Sequence, residues 1–491
     1  MAVALSLKTL PDLPKGVGRP NYARPSLAPG IVHFGVGNFH RAHLAIYLDD
    51  LFNHGLDLDW AIIGAGILPF DEQMRAALEP QDWLTTVVEQ DADVSAARVT
   101  GVMIDFIPPA DRQRLQATLA DPKIRIVSLT ITEGGYLIDP ATQKFDPRHP
   151  AIVHDAAHPE DPTSVFGLIL AGLRQRRAVG VPPYTVMSCD NVPHNGVVTR
   201  NAIVGLARLM DPKLAEWVEK TVAFPNAMVD RITPATSDRE RKITAEKFGI
   251  RDNWPVFCES FRQWVVEDHF PLGRPRWEKA GAQFVSDVTP YENMKIRILN
   301  GGHAVIAYPA GLLDVHFVHE AMEHKLIRAF LDKVEKTEII PIVPPVPATD
   351  LNAYYVQTAK RFANPAIGDT VRRLCLDGSN RQPKFIVPSI ADRLKKNLPI
   401  GGLALESALW CRYCHGESDS GMVIDPNDPN WDRLTALARK AKDDPMQWLS
   451  MTDIYGAVAE DNTFRTAFAA ALNKLWRDGT AKTVSDYLNN S

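Results

Sequence analysis

Apolar positions follow two regimes along the chain. Through roughly the first 285 residues, short apolar runs alternate with stretches of helical spacing. Residues 31–34 read as a strand ending at Gly35. Residues 39–52 read as one helix, with Leu44, Tyr47, Leu48 and Leu51 on its apolar stripe. Further strands are predicted over 60–64, 83–88, 99–104 and 124–132, and helical pieces over 74–78 and 166–177. A last strand, 184–188, runs into Cys189-Asp190-Asn191. Such alternation predicts a mostly parallel sheet, whose strand ends hold ligands. From Met294 onward the patterns are long and helical, including 294–308, 319–334, 353–361, 403–413 and 462–477. The reading is α/β, with residues 1–285 as a dinucleotide-binding domain carrying an N-terminal arm and 286–491 as a mainly α-helical substrate and catalytic domain.

Composition narrows the partners. The 491 residues are 45% hydrophobic and 23% charged, ordinary for a globular chain, and 54 basic against 59 acidic residues leave a net charge of −5. No global basic field exists to hold nucleic acid or anionic lipid, and no apolar stretch is long enough to span a bilayer. A small-molecule substrate is expected, without nucleic acid or membrane. Without a secretory pattern at the N-terminus, and with five scattered cysteines, a cytoplasmic protein with reduced thiols is expected. Oligomeric state is left open, a monomer being compatible.

Gly35-Val36-Gly37-Asn38-Phe39-His40 stands between a strand and a helix, where a dinucleotide's pyrophosphate is bound. Glycine lets the backbone approach phosphate, and a helix start offers N–H donors. The third glycine of the usual fingerprint is replaced by His40. After the second strand no acid follows directly to grip a ribose; Asp71 is the nearest, with Arg75 close by, so NAD is favoured while NADP stays open.

A second constellation lies between Glu292 and His303. Taking about 100° per residue from Lys295, Glu292 falls near about 60°, His303 near about 80° and Asn300 near about 140°, which places all four on one helix face. Gly301-Gly302 is costly inside a helix and implies close approach to the backbone, which catalysis would supply. Oxidation of a secondary alcohol by a nicotinamide needs a base and donors for the alkoxide, and no metal. Lys295 suits the base and Asn300 the donor, His303 a hydroxyl contact and Glu292 a proton relay. The same spacing also fits a solvated helix face.

These residues, with Arg41-Ala42-His43, Thr130-Ile131-Thr132-Glu133-Gly134-Gly135-Tyr136, Ser188-Cys189-Asp190-Asn191 and Asp230-Arg231-Ile232-Thr233-Pro234, occur in an order that resembles the polyol-specific long-chain dehydrogenase/reductase (mannitol dehydrogenase) family over almost the whole chain. The resemblance implies a Rossmann-type N-terminal domain, an α-helical C-terminal domain, and a zinc-independent active site in the cleft between them. It implies Lys295 as the base, Asn191 and Asn300 as the oxyanion site, and His303, Asp230 and Arg373 as polyol contacts, with Lys384 a further candidate. Glu133 and Glu292 fall at supporting or proton-path positions. The implied reaction is NAD-dependent oxidation of a linear polyol at C2, D-mannitol to D-fructose and the reverse. Alternatives are reduction of a hexuronate, or oxidation of arabinitol or sorbitol.

Other signals are read as structural. Cys411-Arg412-Tyr413-Cys414-His415 matches a haem-attachment pattern, but its cysteines follow an apolar helix and are expected in the core. His40 and His43 lack companion metal ligands and are expected to cap or pack. Asp49-Asp50 reads as a solvated helix face.

Overall fold

The computed structural model describes residues 2–92, 94–139 and 144–489, which divide into two compact units, Met1–Thr289 and Pro290–Ser491. The first unit is built on a five-stranded, all-parallel sheet in the order Thr185–Ser188, Ile126–Leu129, Pro29–Phe34, Ala61–Ala65, Met103–Ile107. Consecutive residues serve opposite faces. Val32, Ile63, Val127 and Val186 join one buried cluster, while Ile31, Ile62, Ile126 and Met187 join the other. Burial on both faces explains why these strands read as continuous apolar runs. The chain leaves the central Pro29–Phe34 strand to one side and returns on the other, and a crevice at such a reversal is where open α/β sheets bind ligands.

Several expectations need correction. Residues 83–104 do not extend this sheet as two strands. Thr85–Gln90 pairs antiparallel with Ser95–Thr100 in a separate three-stranded sheet, and Met103–Ile107 joins the central one. The turn at Gly101 and Val102 divides what the apolar pattern reads as one strand. Residues 39–52 form two helices, Asn38–Ala42 and Leu44–Asn53, broken at His43 (φ −123°, ψ −89°). Asp49 is not solvated: it is 1% exposed and accepts from Tyr22 Oη at 2.7 Å. Asp50 bonds Arg98 at 2.6 Å and Arg262 at 2.5 Å. Burial, opposed by Arg98, pushes the Asp49 carboxyl up to about 6. Residues 319–334 likewise form two helices, Val318–Glu323 and Lys325–Val334.

The N-terminal arm is tied down by its Val3–Ala4 strand, which runs parallel to Ile250–Arg251, and by the buried Leu5 and Leu13. In the second unit the described residues are helical, with only isolated strand-like bridges. Gly401–Cys414 packs along the C-terminal segment Asn462–Asn489, two helices joined by a kink at Gly479, and against Gly301–Leu312. Cys411 and Cys414 are buried in it, as core residues should be. No described helix is long and apolar enough to cross a membrane.

Candidate active site

The glycine turn sits at the C-terminal end of the central strand. Gly35 has φ +85°, and a β-carbon there would collide with the Thr130 carbonyl, so only glycine fits. Gly37 caps Asn38–Ala42, and nothing lies within 3.8 Å of its missing side chain; the nearest atom is Gly35 O at 3.9 Å. That open flank fits the close backbone approach a dinucleotide pyrophosphate requires. Val36 is buried in the core, leaving only its backbone to face a ligand, while Phe39 is half-buried and stacks on His43.

The missing third glycine has a physical explanation. His40 is buried and stacks on His33, ring centroids 3.5 Å apart and planes 14° from parallel. His33 contacts Ser128 Oγ at 2.8 Å through Nδ1 and Thr130 Oγ1 at 2.9 Å through Nε2, and Thr130 Oγ1 donates to Gly35 O at 2.7 Å. Burial drives His33 down to about 3 and His40 well below the ordinary imidazole value, so both rings are neutral. The imidazole pair fills the space between strand and helix that a glycine would close. His43 packs too, with Nε2 3.0 Å from Gln263 O. Among the described residues no three His, Cys, Asp or Glu side chains are grouped to hold a metal.

Asn38 Nδ2 donates to Pro234 O and Thr236 Oγ1, both at 2.9 Å, which ties the turn to the Asp230–Pro234 motif. Asp230 ends the strand Ala227–Asp230 and is buried. Its neighbour Arg231 is a structural tie, donating to Ala42 O, Glu259 O and Glu89. Asp71 accepts from the Ile67 and Leu68 N–H groups at 2.7 and 2.8 Å, capping the helix Pro69–Leu78. Arg75 pairs with Glu72 and Glu79.

Asp190, just past the strand Thr185–Ser188, stands in the strand-end motif that the sequence marks, where only Asn191 carries an assigned role. Its carboxylate accepts from Ile131 N at 3.0 Å, Thr132 N at 2.9 Å and Tyr136 Oη at 2.7 Å. Thr132 is thereby held at φ +62°, ψ 167°, a region almost reserved for glycine. Asn191 follows directly on this knot. The Glu133 side chain lies outside the described residues.

In the second unit the candidate helix is not regular. Thr289–Met294 passes into a π-helical turn, Lys295–Asn300, before α-geometry resumes at Gly301–Leu312. Gly301 N–H reaches back five residues to Ile296 O. The α-helical wheel is therefore wrong over this segment. An i→i+5 turn brings residues five apart nearly into line, so Lys295 and Asn300 are closer in angle than the sequence reading placed them. Glu292, Lys295 and Asn300 are buried, at 6%, 7% and 7% exposure, which removes the solvated-face alternative. The glycines are also explained differently. What approaches Gly302 is the Glu335 carboxyl, 3.0 Å from the position of a β-carbon, while Gly301 makes ordinary contacts with Phe385 O and Ile339.

His303 stacks on Phe362 at 4.1 Å. Burial holds its pKa well below the imidazole range, reinforced by Arg373, Arg361, Arg381 and Lys295. Arg373 pairs with Asp369. Lys384 favours the charged form of Asp377. The sequence points to two members of the cationic surround of His303, Lys295 and Arg373, and not to Arg361 and Arg381. Arg381 precedes Lys384 by three positions on Gly378–Phe385, so helical periodicity alone could have flagged both.

A parallel sheet with a glycine turn at its reversal, followed by a helical unit carrying a buried lysine and a buried amide beside a half-buried imidazole, defines a Rossmann-type dehydrogenase architecture. The mannitol dehydrogenase Rossmann domain matches residues 29–279, and the mannitol dehydrogenase C-terminal domain matches residues 287–476. A mannitol 2-dehydrogenase of Cereibacter sphaeroides is 59% identical over 96% of this chain and 99% of its own length. One of Aspergillus fumigatus is 43% identical over 96% and 95%. Among solved structures, Pseudomonas fluorescens mannitol 2-dehydrogenase in ternary complex with NAD and D-mannitol superposes with a TM-score of 0.92 at 42% identity, covering 100% of both chains. Substrate-free D-sorbitol dehydrogenase follows at TM-score 0.89 and 34% identity, covering 98% of this chain and 100% of that one. The chain belongs to the mannitol dehydrogenase family.

Proposed function

We propose that this protein is an NAD-dependent polyol dehydrogenase that interconverts D-mannitol and D-fructose at C2, independently of zinc, with Lys295 as general base. Residues 1–285 serve the cofactor and 286–491 the substrate chemistry. The observation that carries the reading is the π-helical turn, which begins at buried Lys295 and ends at buried Asn300, three residues before His303. Support comes from the family and from the relatives named for mannitol, one of them solved with NAD and D-mannitol.

Bound NAD supplies the hydride acceptor. Gly35, Gly37 and the backbone of Val36, Asn38, Phe39 and His40 hold its pyrophosphate. Lys295 Nζ, in its uncharged form, takes the proton of the C2 hydroxyl, and the Asn191 and Asn300 amides donate to the oxygen as charge develops. Neutral His303 holds a neighbouring hydroxyl, and Asp230 and Arg373 orient the polyol chain, with Lys384 and Glu133 in outer positions. Glu292, one turn before Lys295, passes the proton on toward water.

Reduced-cofactor formation, followed by absorbance with mannitol, sorbitol, arabinitol and mannonate and with both nicotinamides, tests the reading. Mannitol with NAD is expected to give the highest kcat/KM, and its failure as a substrate would sink the proposal. A second reading, hexuronate reduction, is favoured by the guanidinium groups around His303, and turnover of mannonate above mannitol would select it. Exhaustive chelation is expected to leave turnover unchanged; loss restored by zinc would refute independence from metal.

A further inference from the structure

The π-helical turn at Lys295 has a counterpart packed against it, Glu335–Ile339, in which Ile340 N–H reaches back to Glu335 O. Glu335 is completely buried, and neither carboxyl oxygen has a hydrogen-bond partner among the described residues. Burial raises its pKa well above the carboxylate range. A buried acid without a partner costs stability that a leucine of similar volume would not. Packing gives no reason for its presence.

Its surroundings do. Glu335 Oε1 lies 3.0 Å, and Phe362 Cε2 3.4 Å, from the point where a Gly302 side chain would begin. Phe362 is the ring that stacks on His303. Thr358 lies one turn before Phe362 on Leu351–Phe362 and shares its face, and the Glu335 charge is felt by Tyr355 on the same helix. Among the described residues the Glu335 carboxyl beside Gly302, His303 Nε2 next in the chain and Thr358 Oγ1 one helical turn from Phe362 each keep a buried atom without a protein partner. Clustered groups of this kind are normally satisfied by enclosed water.

We propose that Glu335 is a positioning residue which, with Thr358 and His303, holds enclosed water against Gly302 and so fixes the His303 ring and the backbone leading back to Asn300. The proposal rests on the reading of Lys295, Asn300 and His303 given above, and turnover of the unaltered protein with mannitol tests that reading separately.

The test compares Glu335→Leu with Glu335→Gln in thermal midpoint, NADH affinity, and kcat and KM for mannitol. Leucine removes the hydrogen-bonding groups and keeps the volume, so it should raise the midpoint while lowering kcat/KM about tenfold or more. Glutamine can still bind water and should stay within about threefold of the unaltered enzyme. NADH affinity should not move in either variant. Unaltered kcat/KM in the leucine variant, or equal damage in both, would overturn the proposal. Should the leucine variant fail to fold, a cycle with Gly302→Ala and Glu335→Ala decides. The new β-carbon should reduce kcat/KM when the carboxyl is present and have little further effect when it is gone; additive losses would refute the coupling.

Discussion

The turn at Gly35 and the helix start at Gly302 both depend on a missing side chain, but the two dependences differ in kind. At Gly35 the constraint is in the backbone: φ is +85° and the Thr130 carbonyl occupies the place of a β-carbon. At Gly302 the backbone is ordinary helix, and the neighbour is the end of a side chain, Glu335 Oε1. The first site cannot yield without rebuilding a strand end, whereas the second can yield if one carboxyl moves. The polar groups around them differ in kind. Around Gly35, His33, Thr130 and Asn38 have protein partners, although His40 Nδ1 and His43 Nδ1 on the helix that follows have none among the described residues. Around Gly302, Glu335, Thr358 and His303 each keep an atom without one. The first site is fixed by its backbone, while the second gathers a carboxyl, a hydroxyl and an imidazole nitrogen without protein partners among the described residues beside the proposed reaction centre.

Removing the groups that distinguish the two regions should separate binding from chemistry. Lys295→Ala should cut kcat by roughly 10²–10⁴-fold, the range for a lost general base, while NADH affinity measured by fluorescence titration stays unchanged. Equal loss of both would erase the contrast. Gly35→Ala should do the reverse. A non-glycine residue in the left-handed region costs about 1–3 kcal/mol, to which the collision with Thr130 adds. NADH affinity should fall by about tenfold or more, together with the thermal midpoint. An alanine variant that binds NADH normally would show that the turn is not the cofactor's seat.

Much of the first region was legible in the sequence because its physics is local. A strand, a glycine that needs positive φ and a following helix start leave signatures within a few residues, and four of the five central strands, all but Met103–Ile107, lie close to where their apolar runs place them. The partner of His40 was not legible, since His33 stacks on it from a strand on the other side of the turn. In the second region the residue types were readable and the backbone was not. A π-helical turn adds no residue type of its own, so the sequence predicts an α-helical wheel over Lys295–Asn300 where the hydrogen bonds run five residues back. The paired glycines were noticed, but what they admit lies more than thirty positions further on. Asp49 misled for a similar reason: its partner Tyr22 comes from the N-terminal arm, and nothing within helix Leu44–Asn53 announces it.

A smaller effect sharpens the rigid side of the comparison. Asp190→Asn keeps the shape but replaces one acceptor oxygen by a donor, so Ile131, Thr132 and Tyr136 cannot all keep their bonds. An unsatisfied buried N–H costs about 1–3 kcal/mol, and Thr132 should relax from its strained setting. Hydrogen exchange at Ile131 and Thr132 should quicken, with kcat/KM reduced several-fold as Asn191 loses its neighbour's support. Unchanged exchange would mean that the strain is held elsewhere.

The smallest effect concerns the other side, where acids are buried without cations. Glu406 is fully buried, accepts from Gln382 Nε2 at 2.6 Å, and is pushed by burial up to about 8, the hydrogen bond opposing. In the unfolded chain the same carboxyl titrates near about 4.3. Between those values the folded state holds a proton that the unfolded state has released, so stability falls as pH rises through this window. The contribution is fully present below the unfolded value and lost as pH passes the folded one. Glu406→Gln has no proton to lose. Its denaturation midpoint relative to the unaltered protein should therefore climb between pH 5 and pH 8. A constant difference across that range would show that Glu406 ionises in the fold as readily as in water, and that this unit tolerates buried charge as the first one does.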